Sequence, residues 1–168
     1  MPYAIVKNVG EAYLRSFKRE YDLDFTIFRL FNTYGPKQST DFVISKFLNA
    51  ALKDKDITIY GDGSQTRTFC YIEDHLDATC NAFYNNLMVN DVANIGTDQE
   101  VTVLELAKII IKVTNSRSSI VHMPSLKEGD MSRRKPDVTQ MKELLKRDFM
   151  SLEEGLKIII RNNHFVLS

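Results

Sequence analysis

Tyr3 and Lys7 are the first residues whose types and spacing could do chemistry, in a chain that begins M-P-Y-A-I-V-K. Four residues are little more than one α-helical turn, so both side chains project from the same helix face. An ammonium group beside a phenol stabilises the phenolate, so the two residues could work together as a general base. The alternative is that both are ordinary solvated residues of a helix surface.

The segment Y-G-D-G-S-Q-T-R, from Tyr60 to Arg67, combines glycines with an aromatic ring and a guanidinium group. Glycines let the backbone approach a ligand closely. Tyr60 offers a ring to a nucleobase, and Arg67 offers paired donors to a phosphate or a ribose. The pattern predicts a nucleotide-binding segment, although a structural salt bridge is an alternative role for Arg67.

The overall charge is balanced, with 22 basic and 22 acidic side chains. The chain therefore has no global field for nucleic acid or an anionic membrane, and any anion site must be local. The three histidines show no metal-ligand spacing, and Cys70 and Cys80 are interpreted as two buried thiols. Without a signal peptide or an apolar stretch of membrane-spanning length, the sequence predicts a soluble cytoplasmic protein without a metal.

The candidate residues lie on alternating helical and extended segments. Helical periodicity is found at 2–21, 41–54, 73–86, 102–114, 138–146 and 152–162, and extended segments are predicted at 24–31, 57–60, 66–72, 92–95 and 119–123. Asp41 is the predicted cap of the second helix, and Thr102 with Glu105 forms a predicted capping box. The alternation indicates an α/β protein with at least some parallel strand pairing.

A glycine-rich dinucleotide-binding turn is missing from the sequence. No G-x-G-x-x-G occurs, and the nearest approach, Gly61-Asp-Gly63, follows a short strand and lacks the third glycine. Such a turn normally joins the first strand of a dinucleotide-binding unit to its helix. The 168 residues are therefore not expected to bind NAD by themselves.

Four motifs occur in order along the chain: Y-A-I-V-K-N-V-G-E from residue 3, R-L-F-N-T-Y-G-P at 29–36, I-Y-G-D-G-S-Q-T-R-T-F-C-Y-I-E-D at 59–74 and R-R-K-P-D at 133–137. Together they resemble the extended short-chain dehydrogenase/reductases, and within these the NAD-dependent nucleotide-sugar epimerase/dehydratase branch. The closest similarity is to UDP-glucuronate decarboxylases, with 4-epimerases and 4,6-dehydratases nearby.

The resemblance implies that residues 1–168 form the C-terminal portion of such an enzyme. The expected fold is the last part of a Rossmann-type parallel sheet plus the small C-terminal sugar-nucleotide-binding domain. The NAD of the full-length family would depend on the missing glycine-rich half. The resemblance also implies a homodimer, formed through a helical bundle that includes the helix of Tyr3 and Lys7.

The resemblance further assigns roles on the cofactor side of the site. Tyr3 is implied as the general base that takes the proton from the sugar 4-hydroxyl while hydride leaves for NAD. Lys7 is implied as a hydrogen-bond donor to the nicotinamide ribose. Thr33 is implied to lie near the cofactor.

On the substrate side, the resemblance implies contacts with a nucleotide-diphosphate sugar. Asn32 and Arg67 would face the diphosphate, with Tyr60 and Gln65 in the nucleotide segment. Arg134 would reach the diphosphate or the uridine ribose. A turn residue is the alternative role for Asn32, and a solvated loop is the alternative setting for Arg134.

The sequence leaves the reaction open between several members of this family. Phe42 stands where the decarboxylases carry an arginine before V-V-S-N-F, and I-E-D-H at 72–75 is more typical of the dehydratases. The implied activity is transient oxidation at C4 of a UDP- or dTDP-sugar, as in a decarboxylase or a 4-epimerase. The alternative is an inactive fragment that binds the sugar nucleotide but no NAD.

Overall fold

The computed structural model describes residues 2–125 and 135–162. Within these ranges there are six α-helices: α1 Pro2–Tyr21, α2 Val43–Leu52, α3 Ile72–Tyr84, α4 Val103–Thr114, α5 Thr139–Leu145 and α6 Leu152–Arg161. The same ranges contain eight β-strands: β1 Thr26–Leu30, β2 Thr33–Tyr34, β3 Ile57–Tyr60, β4 Thr66–Thr68, β5 Cys70–Tyr71, β6 Asp91–Ile95, β7 Glu100–Thr102 and β8 Ile120–Met123.

The strands pair two by two, and three of the four pairs are parallel. β1 pairs with β6, β2 with β5 and β3 with β8 in parallel, whereas β4 and β7 are antiparallel. Parallel partners need long crossover connections, which the helices between them provide. The predicted α/β fold class is confirmed.

Two apolar clusters hold these pairs and helices together. The larger one packs α2, α4 and α6 around β3, and Leu48, Ile57, Leu106 and Leu156 within it are fully buried. The smaller one joins α3 and α5 to β6. The strand ends and loops that carry candidate site residues are therefore attached to well-packed strands and helices.

The helix starts show which local signals determine the structure. Thr102 accepts a hydrogen bond from the Glu105 backbone N–H, and the Glu105 carboxylate accepts one from the Thr102 backbone, so the predicted capping box is confirmed. The prediction that Asp41 caps α2 is wrong. α2 starts at Val43 after the N-cap residue Phe42, and Asp41 instead bonds to Ser39 in the preceding loop.

A buried ion pair ties α3 to the segment between α5 and α6. Asp74 is 1% exposed, and Arg147 donates to its carboxylate at 2.6 Å, while the backbone N–H of Met150 donates at 2.9 Å. Arg147 also bonds to Asp77 on the next turn of α3. The pair joins residues 73 positions apart, so no local pattern of the sequence indicates it.

The two cysteines differ in their surroundings. Cys70 is buried on β5, and burial raises the pKa of its thiol to about 12. Cys80 is exposed on α3, so the interpretation of two buried thiols is wrong for Cys80. It stands on the outward side of a surface helix, where no core requires an apolar residue.

Two features are missing from the described residues, namely a membrane-spanning helix and a cluster of metal ligands. None of the helices within 2–125 and 135–162 is long and apolar enough to cross a bilayer. Over the same residues, no three His, Cys, Asp or Glu side chains come together in a way that could hold a metal ion.

Candidate functional site

The Tyr3 and Lys7 side chains lie on one face of α1, as their spacing predicts. The Lys7 ammonium lies 5.4 Å from the centroid of the Tyr3 ring, over its face. Tyr3 is 74% exposed. The helix is fixed to β1 by a two-point ion pair, in which Arg29 donates to both carboxylate oxygens of Glu11 at 2.7 Å. The catalytic role of the pair stays a prediction.

Asn32 follows β1 at the carboxyl end of a parallel strand, where ligands of α/β proteins gather. Its side-chain amide donates to the carbonyl of Thr68 at 3.1 Å, and its own carbonyl accepts from the N–H of Cys70 at 2.9 Å. These two bonds hold Asn32 against the segment that joins β4 to β5. Asn32 is therefore more than a simple turn residue, because it connects two elements that are far apart in the sequence.

His75 is a residue of this region for which the sequence predicted no role in the site. Its Nδ1 lies 2.9 Å from the hydroxyl of Thr33, which also lies 3.0 Å from the carbonyl of Phe31. Both bonds form when the Thr33 hydroxyl donates to Phe31 and His75 Nδ1–H donates to Thr33. In the part of the chain that the structure describes, the buried Nε2 then has no partner. The only sequence signal was the I-E-D-H motif.

Burial gives His75 a pH dependence that can be measured. Desolvation lowers the pKa of His75 from its usual value of 6.5, so the unfolded chain binds a proton that the folded chain resists. Stability is therefore complete above pH 6.5 and declines as the pH falls from there towards the lowered pKa. Urea unfolding at pH 7.5 and 5.5 measures this decline.

The variant His75→Gln tests whether His75 causes this decline in stability. His75→Gln keeps a side-chain donor for Thr33 but has no proton to gain, so we expect a smaller loss of stability between the two pH values. His122→Gln is the control, because His122 is exposed and bonds to the Gly61 carbonyl. An unchanged decline in His75→Gln would contradict the assignment.

Hydrogen bonds from side chains within the segment stabilise the glycine turn between β3 and β4. Gly61 and Gly63 have φ angles of 71° and 75°, which favour glycine. Asp62 accepts bonds from the backbone and the hydroxyl of Ser64 at 2.9 and 2.7 Å. Gln65 donates to the carbonyl of Tyr60 at 3.3 Å, so its observed contact supports the turn. The half-exposed Tyr60 ring remains available beside it.

A cavity of about 150 Å³ brings three of the predicted residues together, namely Asn32, Thr33 and Arg67. The rest of its lining is Tyr34, Gln38, Phe42, Val43, Ile44 and Phe69. Tyr3, Lys7, Tyr60 and Gln65 do not line it. Arg134 lies outside the described residues, so its predicted role has no structural counterpart here.

Two features of this cavity favour an anion. Arg67 supplies a guanidinium group, whose Nη1 also donates to the carbonyl of Thr66 at 2.7 Å. The first residues of α2, Val43 and Ile44, lie in the same wall, and no side chain caps this helix. First-turn N–H groups have no acceptor within their helix and lie at its positive end. Together these groups can bind a diphosphate.

A second depression in the surface has the opposite character. It has a volume of about 610 Å³, lies between the start of β1 and the end of α3, and is lined mainly by apolar side chains such as Phe25, Phe28, Phe83 and Tyr84. Its one charged lining residue is Asp24. An anionic ligand is therefore expected in the smaller cavity and not in this one.

The described residues do not form a complete dinucleotide site. The turn Gly61–Ser64 leads into the strand β4 and not into a helix whose N-terminus could hold a pyrophosphate. A Cβ at Gly63 would lie 3.1 Å from Ile59 and Leu104 side-chain atoms, so protein fills the space there. The described residues therefore offer no cradle for the phosphates of NAD.

Comparison with known proteins places this geometry in context. Residues 1–96 match the profile of the NAD dependent epimerase/dehydratase family. A UDP-N-acetyl-alpha-D-glucosaminuronate decarboxylase of Bacillus cytotoxicus is 38% identical over 168 residues, which is 95% of this chain and 52% of that protein. The chain thus spans about half the length of this relative.

Solved structures show the same partial coverage. UDP-glucose 4-epimerase of Thermotoga maritima, solved with UDP-glucose, is 36% identical with a TM-score of 0.86 and is matched over 96% of this chain and 54% of its own. UDP-glucuronic acid 4-epimerase of Bacillus cereus, a Y149F mutant in complex with UDP-4-deoxy-4-fluoro-glucuronic acid and NAD, is 27% identical. Its TM-score is 0.83, with coverage of 96% of this chain and 53% of that chain.

Proposed function

Because the chain belongs to the NAD dependent epimerase/dehydratase family, we propose that it binds a nucleoside-diphosphate sugar, with UDP as the nucleotide. The observation that carries the proposal is the cavity in which Arg67, Asn32 and the uncapped start of α2 meet. A diphosphate placed there accepts from the guanidinium group and from first-turn N–H groups. The UDP-sugars in the names of the similar proteins support the choice of ligand.

The other predicted residues would surround the diphosphate bound at Arg67. Tyr60 would lie beside the nucleobase, and Gln65 would act indirectly by holding the turn that carries Tyr60. Asn32 would contact the diphosphate by donating its second amide N–H, while the first stays on the Thr68 carbonyl. Arg134 would add a second cation to the diphosphate or the ribose.

The proposed reaction begins with a proton at the sugar 4-hydroxyl, which Tyr3 takes while Lys7 stabilises the phenolate. Thr33 would lie on the cofactor side. NAD supplies the hydride chemistry in this family. The described residues lack a cradle for its phosphates and no G-x-G-x-x-G occurs in the sequence, so we propose that turnover requires a glycine-rich segment in addition to these 168 residues. Decarboxylation and 4-epimerisation are the two outcomes that we propose for the complete enzyme.

A second candidate function is binding without turnover. The absence of a G-x-G-x-x-G turn favours it for these 168 residues, since they can keep a diphosphate-sugar cavity and still hold no NAD. The two candidates differ in one property, which is NAD affinity. They share the UDP site, so they can be tested together.

Calorimetric titration of the purified chain with UDP, ADP and NAD tests the proposal. We expect heat from UDP, weaker binding of ADP and none from NAD, because the cavity accommodates a diphosphate while no turn cradles a dinucleotide. Binding of NAD without UDP would contradict the site assignment. Failure of both UDP and ADP to bind would contradict the proposed function itself.

Self-association through α1 is the proposed assembly. No residue between Tyr3 and Tyr21 is buried, although the helix carries many large apolar side chains. Those exposed are Tyr3, Ile5, Val6, Val9, Tyr13, Leu14 and Tyr21. An apolar face of this size is typical of an interaction surface, and the family resemblance indicates a homodimer.

Charge placed on this face should prevent the association. Val6→Glu combined with Val9→Glu puts two carboxylates where apolar side chains would be buried between copies, so we expect a shift from dimer to monomer. Light scattering after size-exclusion chromatography measures the mass. Val89→Glu is the control, because Val89 is an exposed valine outside α1. A monomeric parent chain would contradict the proposal.

A further inference from the structure

His75 places a polar ring on the buried side of α3. The buried residues of this helix are Asp74, His75, Ala78 and Ala82, and His75 is 6% exposed. Asp74 is paired with Arg147, whereas the Nε2 of His75 has no partner among the described residues. A buried polar atom without a partner destabilises a fold, so an apolar side chain would serve packing better. The packing of α3 therefore does not explain the imidazole.

The other ring nitrogen of His75 contacts the hydroxyl of Thr33 on β2. Nδ1 lies 2.9 Å from Thr33 Oγ1. The same hydroxyl lies 3.0 Å from the carbonyl of Phe31, and it donates to that carbonyl when Nδ1–H donates to it. His75 thereby holds the Thr33 hydroxyl in the direction that keeps its proton on Phe31. Without the imidazole, the hydroxyl is free to rotate about χ1 and release this carbonyl.

The Thr33 hydroxyl bridges the backbone on the two sides of Asn32. Phe31 precedes Asn32 and Thr33 follows it, so the bond from Thr33 to the Phe31 carbonyl fixes the backbone at Asn32. Asn32 donates one amide N–H to the Thr68 carbonyl at 3.1 Å, and its own carbonyl accepts from the N–H of Cys70 at 2.9 Å. The direction of the second amide N–H then depends on the backbone that the Thr33 hydroxyl holds.

His75 lies behind the wall of the cavity that contains Arg67. Asn32 and Thr33 line this cavity, and His75 does not. The imidazole can therefore affect a bound ligand only through residues of the wall. Binding groups are held in their productive direction by such supporting hydrogen bonds, and they lose affinity when the support is removed.

We propose that His75 is a positioning residue of the nucleotide-sugar site, which orients the Asn32 amide towards the diphosphate through the Thr33 hydroxyl. This inference rests on the proposed function, because it assumes that the diphosphate lies at Arg67 and Asn32. It assigns a role in ligand binding to a buried side chain outside the cavity.

Calorimetric titration with UDP of the parent chain, His75→Leu and His75→Asn tests the inference. Leucine fills the space without a donor, whereas asparagine keeps an amide nitrogen close to the position of Nδ1. We expect His75→Leu to lower the affinity for UDP about three- to tenfold, within the range of one neutral hydrogen bond. His75→Asn should retain most of the parent affinity. In urea unfolding at pH 7.5, His75→Leu should be about as stable as the parent, because the variant also removes the unpartnered Nε2.

A double-mutant cycle shows whether His75 acts through Thr33. In a Thr33→Val background the hydroxyl is absent, so His75→Leu should cause no further loss of UDP affinity. Equal losses from His75→Leu in both backgrounds would contradict the proposed route. Asn81→Leu is the matched control, because Asn81 also lies on α3, donates to the Leu144 carbonyl at 3.0 Å and does not line the cavity. It should lower the free energy of unfolding and leave UDP affinity unchanged.

The side-chain amide of Asn32 offers a readout that needs no ligand. In heteronuclear NMR spectra of the isotope-labelled chain, its two N–H signals are identified as those lost in Asn32→Asp. His75→Leu should shift or broaden them, and His75→Asn should not. Unchanged Asn32 signals and unchanged UDP affinity in His75→Leu would overturn the inference and leave the UDP site intact. Absence of UDP binding in the parent would instead contradict the proposed function, and the NMR comparison would still decide whether His75 orients Asn32.

Discussion

Arg67→Ala should lower the affinity of the chain for UDP by about 10- to 150-fold, since hydrogen bonds to charged groups contribute about 1.5–3 kcal/mol. The guanidinium is the only charged side chain among the described residues of the cavity wall, so no neighbour there replaces it. The first turn of α2 would still offer its N–H groups, and residual binding is therefore expected. Calorimetric titration with UDP measures the change.

Two further variants show whether the geometry or only the charge of Arg67 matters. Arg67→Lys keeps the charge but loses the paired donors that match phosphate oxygens, so its affinity should lie between those of the parent and the alanine variant. Arg117→Ala is the control, because Arg117 does not line the cavity and forms an exposed ion pair with Asp54. Equal UDP affinities of Arg67→Ala and the parent would contradict the diphosphate assignment.

Arg147→Met should lower the free energy of unfolding by about 2–3 kcal/mol, somewhat below the range typical of a broken buried ion pair. The Asp74 carboxylate is 1% exposed and would keep only the N–H of Met150 as a partner. The reduction from the full range reflects Arg147 itself, whose side chain is 39% exposed. Methionine retains most of the aliphatic stem, so lost packing contributes little.

Urea unfolding at pH 7 measures this loss. The control is Arg117→Met, which removes two side-chain bonds to Asp54 from a surface pair, where the Arg117 side chain is 88% exposed. Exposed pairs contribute about 0–1 kcal/mol, so its effect should be small. Similar losses in the two variants would show that the Asp74 pair is no more important than a surface pair.

Most of the fold could be predicted from the sequence because its signals are local. The apolar residues of α1 recur at helical spacing, Ile57–Tyr60 alternates as a strand should, and Thr102 with Glu105 forms a recognisable cap. These patterns depend on residues within one or two turns of each other. β7 was missed, because its three residues pair with β4, which is distant in the sequence.

The candidate site was predictable in its residue types but not in its contacts. The motif resemblance identified Asn32 and Arg67, and the structure places both in one cavity. The bond of His75 to Thr33 joins residues 42 positions apart, which no local pattern indicates. The failed cap at Asp41 has a similar cause, because the loop before α2 bonds internally through Ser39. Because Asp41 does not cap α2, Phe42 is the N-cap residue beside the cavity, and no side chain caps the first turn of the helix.

The most direct test of the central claim is a crystal structure of the 168-residue chain with UDP bound. We expect a diphosphate oxygen within hydrogen-bonding distance of the Arg67 guanidinium group, with the phosphates facing the first turn of α2 and the uracil towards Tyr60. UDP bound elsewhere, for example in the depression beside Phe83 and Tyr84, with the Arg67 cavity empty, would contradict the assignment of this cavity as the nucleotide-sugar site.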